Sequence, residues 1–415
     1  MHTTAEALDA SDSLKHLREE FIITNETYFL GNSLGLQPRG VKAAVLAEID
    51  RWATLAVEGH FEGDTAWLRL DQNLKPGLSE ICGCSPHEVA AMNSLTVNLH
   101  LILSRFYQPS GKRKLIITEP KPFPSDWYAL ESAIAAKGLN PTDCLVELKP
   151  RQGEVTLRTE DIISEIQRRG DEVCMICIGA VQYYTGQFFN VKDITEAVHQ
   201  VGGIAIWDCA HAVGAVELKL HSWQVDAAVF CCYKYLNGGP GAVGGIYVHE
   251  KWLNGTIPRG QLLGWFGHEE KTRFAMDNRF IPEAGVDSFR LSEIPALSAV
   301  CLLTSLDVYA KTTMIALRAK SVAMTTFLID LMQSKEHCSK IKLVTPTDPT
   351  HRGGHLSLRF PDDTCEAIHT KLTTAGFIVD YRKPGVIRIA PSPFYNTFTE
   401  IQHLVETLEL IMSDY

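Results

Sequence analysis

The stretches IAIWDCAHAVGAV (residues 204–216) and AAVFCCYKYLNGGPGAVGG (227–245) decide the fold. In each, a short run of apolar residues ends on a charged one. Asp208 closes the first run, with His211 three residues on; Lys234 closes the second and leads into a glycine-rich loop. Short, unbroken apolar runs of this kind read as strands buried on both faces. The pattern extends outward. KLIITE (114–119) and CLVELK (144–149) read as strands. SDWYALESAIAAKG and RTEDIISEIQRRG read as helices, the second with Thr159 as N-cap candidate and Gly170 at its end. VCMICIGAV, the helix DITEAVHQVGG and the strand at 204–208 follow. Alternation of strand and helix predicts an α/β domain with a mostly parallel sheet, whose sites lie at the carboxyl ends of the strands.

Upstream, SPHEVAAMNSLTVNLHLILSRFY starts on a capping box, Ser85 with Glu88, and predicts a long helical stretch broken near 93–96. Downstream of Thr312 the character changes. A long amphipathic helix, three short strands with a helix after the first (EAIHTKLTTAG), and a final helix predict a smaller α+β domain. The expected division is an N-terminal segment (1–50) packing with the small domain, a large domain (51–311) and the small C-terminal domain (312–415). A chain of 415 residues is too long for one core, which agrees with two domains.

Hydrophobic residues at 45% and charged residues at 21% exclude a disordered chain, and a net charge of −10 leaves no basic footprint for nucleic acid. The N-terminus lacks an apolar signal core, and no apolar run reaches the roughly 18 residues of a membrane span, so a cytoplasmic location is expected. Cys174 and Cys177 form a C-x-x-C inside a predicted strand, where residues three apart should face opposite ways. The eleven cysteines are therefore expected to be free thiols, with no metal site.

The chemistry lies at the two strand ends. An Asp after a strand is often only a cap, and a Lys there is often a solvated charge. Together they suit pyridoxal phosphate (PLP), which needs a lysine for its aldehyde and a carboxylate for its pyridinium nitrogen. Leu95 and Thr96, at a predicted helix start, can meet a phosphate. Phe123 can stack on a ring, with Ser125 and Asp126 at the next helix start, and Tyr233 brings a phenol beside the lysine.

These residues sit in blocks that resemble the kynureninases over almost the whole chain: GNSLG, LTVNLHLIL, FPSDWYA, YYTGQFFN, WDCAHAVGAVEL, YKYLNGGPG and GWFGHEEKTRFAMDN. The resemblance implies a fold-type I PLP-dependent transferase-like fold and a homodimer with shared active sites. It implies hydrolytic Cβ–Cγ cleavage of L-kynurenine and/or 3-hydroxy-L-kynurenine to anthranilate or 3-hydroxyanthranilate plus L-alanine. That reaction belongs to tryptophan catabolism and can also serve NAD biosynthesis. Lys234 would hold the cofactor, with Tyr233 as catalytic partner. Asp208 would pair with the ring nitrogen, and His211 would support the cofactor. Leu95, Thr96 and Tyr233 would bind phosphate, joined by Trp265 from the partner subunit. Phe123 would stack on the ring, Asp126 would sit by its polar edge, and Ser125 would also bind the cofactor. Arg388 would clamp the substrate carboxylate, and His60, Ser292 and Glu293 would meet the aromatic end. Glu293 stands where animal-type relatives have Asn, and Gly179 where some have Ser. The rival readings are another fold-type I PLP enzyme, desulfurase-like or aminotransferase-like, and a non-catalytic PLP-binding paralog.

Overall fold

A computed structural model describes residues 4–415. Its strands are β1 (Thr27–Tyr28), β2 (Val89–Ala91), β3 (Leu115–Thr118), β4 (Leu145–Glu147), β5 (Val173–Gly179), β6 (Ile204–Asp208), β7 (Ala227–Cys231), β8 (Gly244–Val248), β9 (Lys342–Leu343), β10 (Leu356–Arg359), β11 (Phe377–Ile378), β12 (Asp380–Arg382) and β13 (Val386–Ile389). Seven of them form the main sheet, in the order β2-β8-β7-β6-β5-β3-β4. The five from β7 to β4 are parallel, and β8 and β2 close one edge in antiparallel register.

The apolar runs are buried as their composition requires. Every residue of β5 and of β7 is inaccessible, because helices cover both faces of the sheet. Successive residues feed opposite layers, as the two-residue period of a strand demands. Trp207 joins one core cluster and Ile206 the other. The alternation slips once. Leu115 pairs with Val173 but Ile116 with Met175, so one residue of β5 is bulged out. That slip brings Cys174 and Cys177 into the same core layer, contrary to the opposite faces expected of a regular strand. Both are free and buried.

Three local expectations need correction. The Ser85–Glu88 capping box forms, but it caps a single 3-10 turn at Pro86–Glu88 and not a long helix. The chain then runs directly into β2, and the helix begins only at Leu95 (Leu95–Phe106). Glu88 explains the stop: it also accepts from the Glu250 amide and meets His221, which pins the turn to the sheet edge. Thr159 is the first residue of the helix Thr159–Arg169, with Arg158 before it making no side-chain cap. The glycine-rich run after Lys234 ends in the strand β8, which its composition concealed.

The smaller domain carries the antiparallel sheet β12-β13-β10-β9, backed by the helices Met314–Ser334, Cys365–Thr374 and Phe398–Met412. Leu356, Leu358, Ile387, Ile389 and Leu404 form its core. The N-terminal segment is shared between the two domains. Helix Ala5–Ser11 lies on Phe398–Met412, Asp9 caps that helix through the amides of Phe398 and Thr399, and β1 pairs with β11. Leu14, Leu17 and Phe21 instead enter the large core. The division expected at residue 50 falls inside the helix Val41–Leu55, which packs on Ala296–Tyr309 of the large domain.

Gly83 ends the helix Leu70–Cys82 at φ +61°, and a Cβ there would lie 2.1 Å from the Leu218 carbonyl oxygen. Alanine at this point must strain the backbone and displace that carbonyl, at a cost of about 2 kcal/mol or more. Gly83→Ala should lower the urea denaturation midpoint, and an unchanged midpoint would show that this turn has slack.

Candidate active site

Four neighbouring parallel strands deliver their carboxyl ends to one narrow cleft with a cavity volume of about 70 Å³. β3 leads to Glu119, β5 ends on Gly179, β6 on Asp208, and β7 leads to Tyr233 and Lys234. Leu95 and Thr96 enter from the start of one helix, and Phe123, Ser125 and Asp126 from the start of Pro124–Ala136. The cofactor residues expected from sequence thus line one cleft, with the exception of Trp265.

The cleft has two chemically distinct ends. At one, the N-terminus of Leu95–Phe106 presents backbone N–H groups, and Thr96 Oγ1 lies 2.7 Å from Ser125 Oγ. Aligned amides and two hydroxyls make an anion site. Gly244 keeps it compact, since a Cβ there would press to 3.0 Å from the Leu95 nitrogen. At the other end are three carboxylates. Asp208 Oδ1 accepts from the Ala210 amide at 2.8 Å, which fixes the carboxylate plane. Burial, then the charge of Asp208, holds the Asp126 carboxyl well above its ordinary range. Glu119 accepts from the Gly179 amide at 3.2 Å, yet burial still raises it to about 7. Lys234 Nζ lies 3.0 Å from His211 Nε2. Burial and the Lys234 charge hold His211 well below its usual value, so the ring is neutral and accepts from the amine.

This donor set fits the group expected from sequence. Asp126 Oδ1 and His211 Nδ1 are buried without partners, as polar atoms waiting on a cationic ring and its substituents would be. Phe123 stands edge-on to Tyr183 at 5.4 Å over the opening. Glu119 and Tyr183 were not anticipated. Glu119 carries the same signal as Asp208, a carboxylate straight after an apolar strand; Tyr183 opens the block YYTGQFFN, whose resemblance gives it no role of its own.

The expected substrate residues divide. Arg388, on β13, is buried beside the cleft and does not itself line it: Nη1 donates to the carbonyl of the cleft residue Tyr183 at 2.6 Å, and the Nε/Nη2 edge binds Asp380. Of five guanidinium N–H groups these contacts use three, leaving two for a carboxylate. His60, Ser292 and Glu293 do not line the cleft of their own chain. His60 Nε2 sits 3.4 Å from Glu293 Oε2, and Glu293 Oε1 is buried without a partner. Trp265 lies near this group, 5.3 Å from Phe274, which in turn lies 6.0 Å from Phe61.

Glu88, His221 and His249 lie close enough together to suggest a metal site. Their geometry argues for a clamp. Glu88 accepts from the Ser85 and Glu250 amides and meets His221, His249 Nδ1 accepts from the Lys251 amide, and the two imidazoles stack at 14°. Stacked rings direct their lone pairs in parallel and not toward one ion.

The raised carboxyl of Glu119 sets a pH dependence. The folded state keeps a proton between about pH 4.5 and 7 that the unfolded chain releases, so this group's stabilisation is lost as pH rises through that window. Glu119→Gln removes the effect. The difference in apo-protein stability between variant and parent should shift by on the order of 2–3 kcal/mol from pH 4.5 to 7, in the variant's favour at the higher pH. Parallel melting curves would contradict the assignment.

Comparison with known proteins agrees with this architecture. The family description "Kynureninase C-terminal domain" matches residues 317–408. The kynureninase of Xanthomonas campestris pv. campestris (strain B100) is 43% identical over 412 residues, covering 98% of this chain and 96% of that protein. Kynureninase 2 of Emericella nidulans is 40% identical over 440 residues, covering 98% and 93%. Among solved structures, the apo cysteine desulfurase of Thermococcus onnurineus NA1 superposes with a TM-score of 0.79 at 14% identity, covering 96% of this chain and 98% of that one. A C-DES variant with glycine covalently linked to its PLP cofactor gives 0.78 at 18%, covering 94% and 98%. These solved structures share the fold, fold-type I, and the full-length sequence relatives define the finer grouping: the chain belongs to the kynureninase family.

Proposed function

We propose that this protein is a PLP-dependent hydrolase that cleaves the Cβ–Cγ bond of L-kynurenine or 3-hydroxy-L-kynurenine, releasing alanine and an anthranilate. The observation that carries this reading is the single buried cleft in which Lys234, Asp208 and a helix N-terminus converge, in a chain of this family.

The cofactor, when bound, supplies an electron sink that makes protons on Cα and Cβ of an attached amino acid labile. Leu95, Thr96 and Ser125 hold its phosphate end, and Asp208 with Asp126 its ring nitrogen. Arg388 orients the substrate through its α-carboxylate with the two N–H groups left free. Lys234 Nζ takes the Cα proton, steadied by His211 Nε2. Tyr233, whose phenol burial keeps protonated far above neutral pH, is the neighbouring proton donor. Water adds to the γ-carbonyl carbon, the Cβ–Cγ bond breaks, that carbon leaves as a carboxylic acid, Cβ gains a proton from Lys234 or Tyr233, and Cα regains one from Lys234 before alanine leaves. Such acid–base assistance is worth about 10²–10⁴-fold.

The same proposal includes a homodimer. Phe61, Phe274 and Met276 are exposed beside Trp265 and the His60–Glu293 pair, an apolar surface that a second copy would cover. There Trp265, His60, Ser292 and Glu293 would complete the partner's cleft. All eleven cysteines are free thiols, which suits the reducing cytoplasm. Glu293 Oε1 is an acceptor in need of a donor, which favours the substrate whose ring bears a hydroxyl.

Lys234→Ala should abolish alanine release and the visible absorbance of the lysine-linked cofactor; retained turnover would refute the assignment. Mixing and re-pairing Lys234→Ala with Trp265→Ala should restore about one quarter of parental activity through hybrid dimers with one intact site. No recovery would mean that each chain supplies its own tryptophan. The kcat/KM of the parent should be higher for 3-hydroxykynurenine than for kynurenine, and Glu293→Gln should narrow the ratio.

A further inference from the structure

Behind Lys234 lies a group of buried polar atoms that the reaction just described does not use. His211 Nδ1, both ring nitrogens of His355 and the Tyr235 hydroxyl are all buried and make no hydrogen bond of normal length within the chain; the one backbone group facing His355 is the Tyr183 carbonyl, which already accepts from Arg388. The rings are neighbours. His355 lies 5.7 Å from His211 and Tyr235 6.3 Å, both in edge-on arrangements. A buried unmatched polar atom is destabilising, so four in one place call for an explanation.

His355 comes from the small domain, immediately before β10, and is wholly inaccessible. Two glycines let it reach the large domain. A Cβ at Gly353 would lie 2.6 Å from Val181, and one at Gly354 would lie 3.2 Å from the Tyr235 ring. Arg318 secures this approach by donating to the carbonyls of Arg352 and Gly353. Lys234, Arg388 and Arg382 face the two imidazoles, and Arg388 and Arg318 face Tyr235, while Asp380 is engaged by Arg382 and Arg388. Positive surroundings and burial keep both imidazoles neutral.

Neutrality makes the tautomer decisive. The Lys234 ammonium can only donate, so His211 Nε2 must carry the lone pair and Nδ1 the proton. That N–H needs an acceptor.

We propose that His355 is a positioning residue that acts through His211. One His355 nitrogen accepts the Nδ1–H, directly or through one enclosed water, and the other passes its own N–H to Tyr235 Oη. The arrangement satisfies all four atoms and locks His211 with its acceptor toward the lysine nitrogen. The tautomer beside the cofactor is thereby set from the small domain. The inference rests on Lys234 carrying the cofactor.

The test uses the PLP-loaded protein with His355→Leu and His355→Gln, read by steady-state kinetics and by pH titration of the visible absorbance of the lysine-linked cofactor. In His355→Leu, kcat should fall roughly 10-fold or more while KM changes little, as for other losses of an outer supporting hydrogen bond. The absorbance midpoint should fall by about half a unit or more, because the protonated lysine nitrogen loses its acceptor. His355→Gln, whose amide oxygen can replace that acceptor, should recover both. Parental kcat and midpoint in His355→Leu overturn the proposal. A kcat loss equal in both variants with an unmoved midpoint also overturns it, since that is what lost packing would produce. Absence of the lysine-linked absorbance in the parent refutes the cofactor reading itself, and this inference with it.

Discussion

Three carboxylates and an amine are held away from bulk water where four parallel strands end, and the rest of the site depends on that confinement. Unpaired, Asp126, Asp208 and Glu119 would repel one another strongly at low dielectric. The chain answers by letting protons stay on: Asp126 and Glu119 both hold theirs well above the ordinary carboxylate range. Burial is the main cause of that retention and the neighbouring carboxylates the lesser one, so the carboxylate end suits a cationic ring while the helix start at Leu95 and Thr96 suits a negative group.

Much of this was legible because chemistry and fold share one signal. An apolar run closed by a charged residue marks both a buried strand and a side chain at the functional end of the sheet, which is why Asp208 and Lys234 could be read from 204–245. Glu119, straight after β3, carries the same mark. What sequence could not carry was contact at long range. His355 is a lone histidine before a strand until Gly353 and Gly354 bring it against His211, and Tyr183 acquires meaning only through its carbonyl under Arg388. The misread elements have local causes. β8 hid in glycines that the close approach of its neighbours requires. The capping box at Ser85 was real but served a turn, because Glu88 is claimed by the sheet edge. The bulge in β5 changed which way Cys174 faces, and no periodicity argument survives an inserted residue.

The seam between the domains is ordered by direct bonds. Ser357 Oγ donates to the Tyr184 carbonyl and Thr345 Oγ1 to that of Thr185, each at 2.6 Å, and Gly186 passes so close that a Cβ would meet the His355 carbonyl at 2.8 Å. The N-terminal segment adds a tie of a different kind, with Asp9 capping a small-domain helix while Leu17 and Phe21 are committed to the large core.

That seam divides the two ends of the ligand between two bodies. Arg388 belongs to the small domain, whereas Lys234 and Asp208 belong to the large one, so an amino acid bound through both its carboxylate and its nitrogen spans the joint. With the roles proposed for Arg388 and Lys234, a molecule bearing only one of those groups would engage one body alone, and the fold would act as a coincidence detector for a carboxylate and an amine at the correct separation.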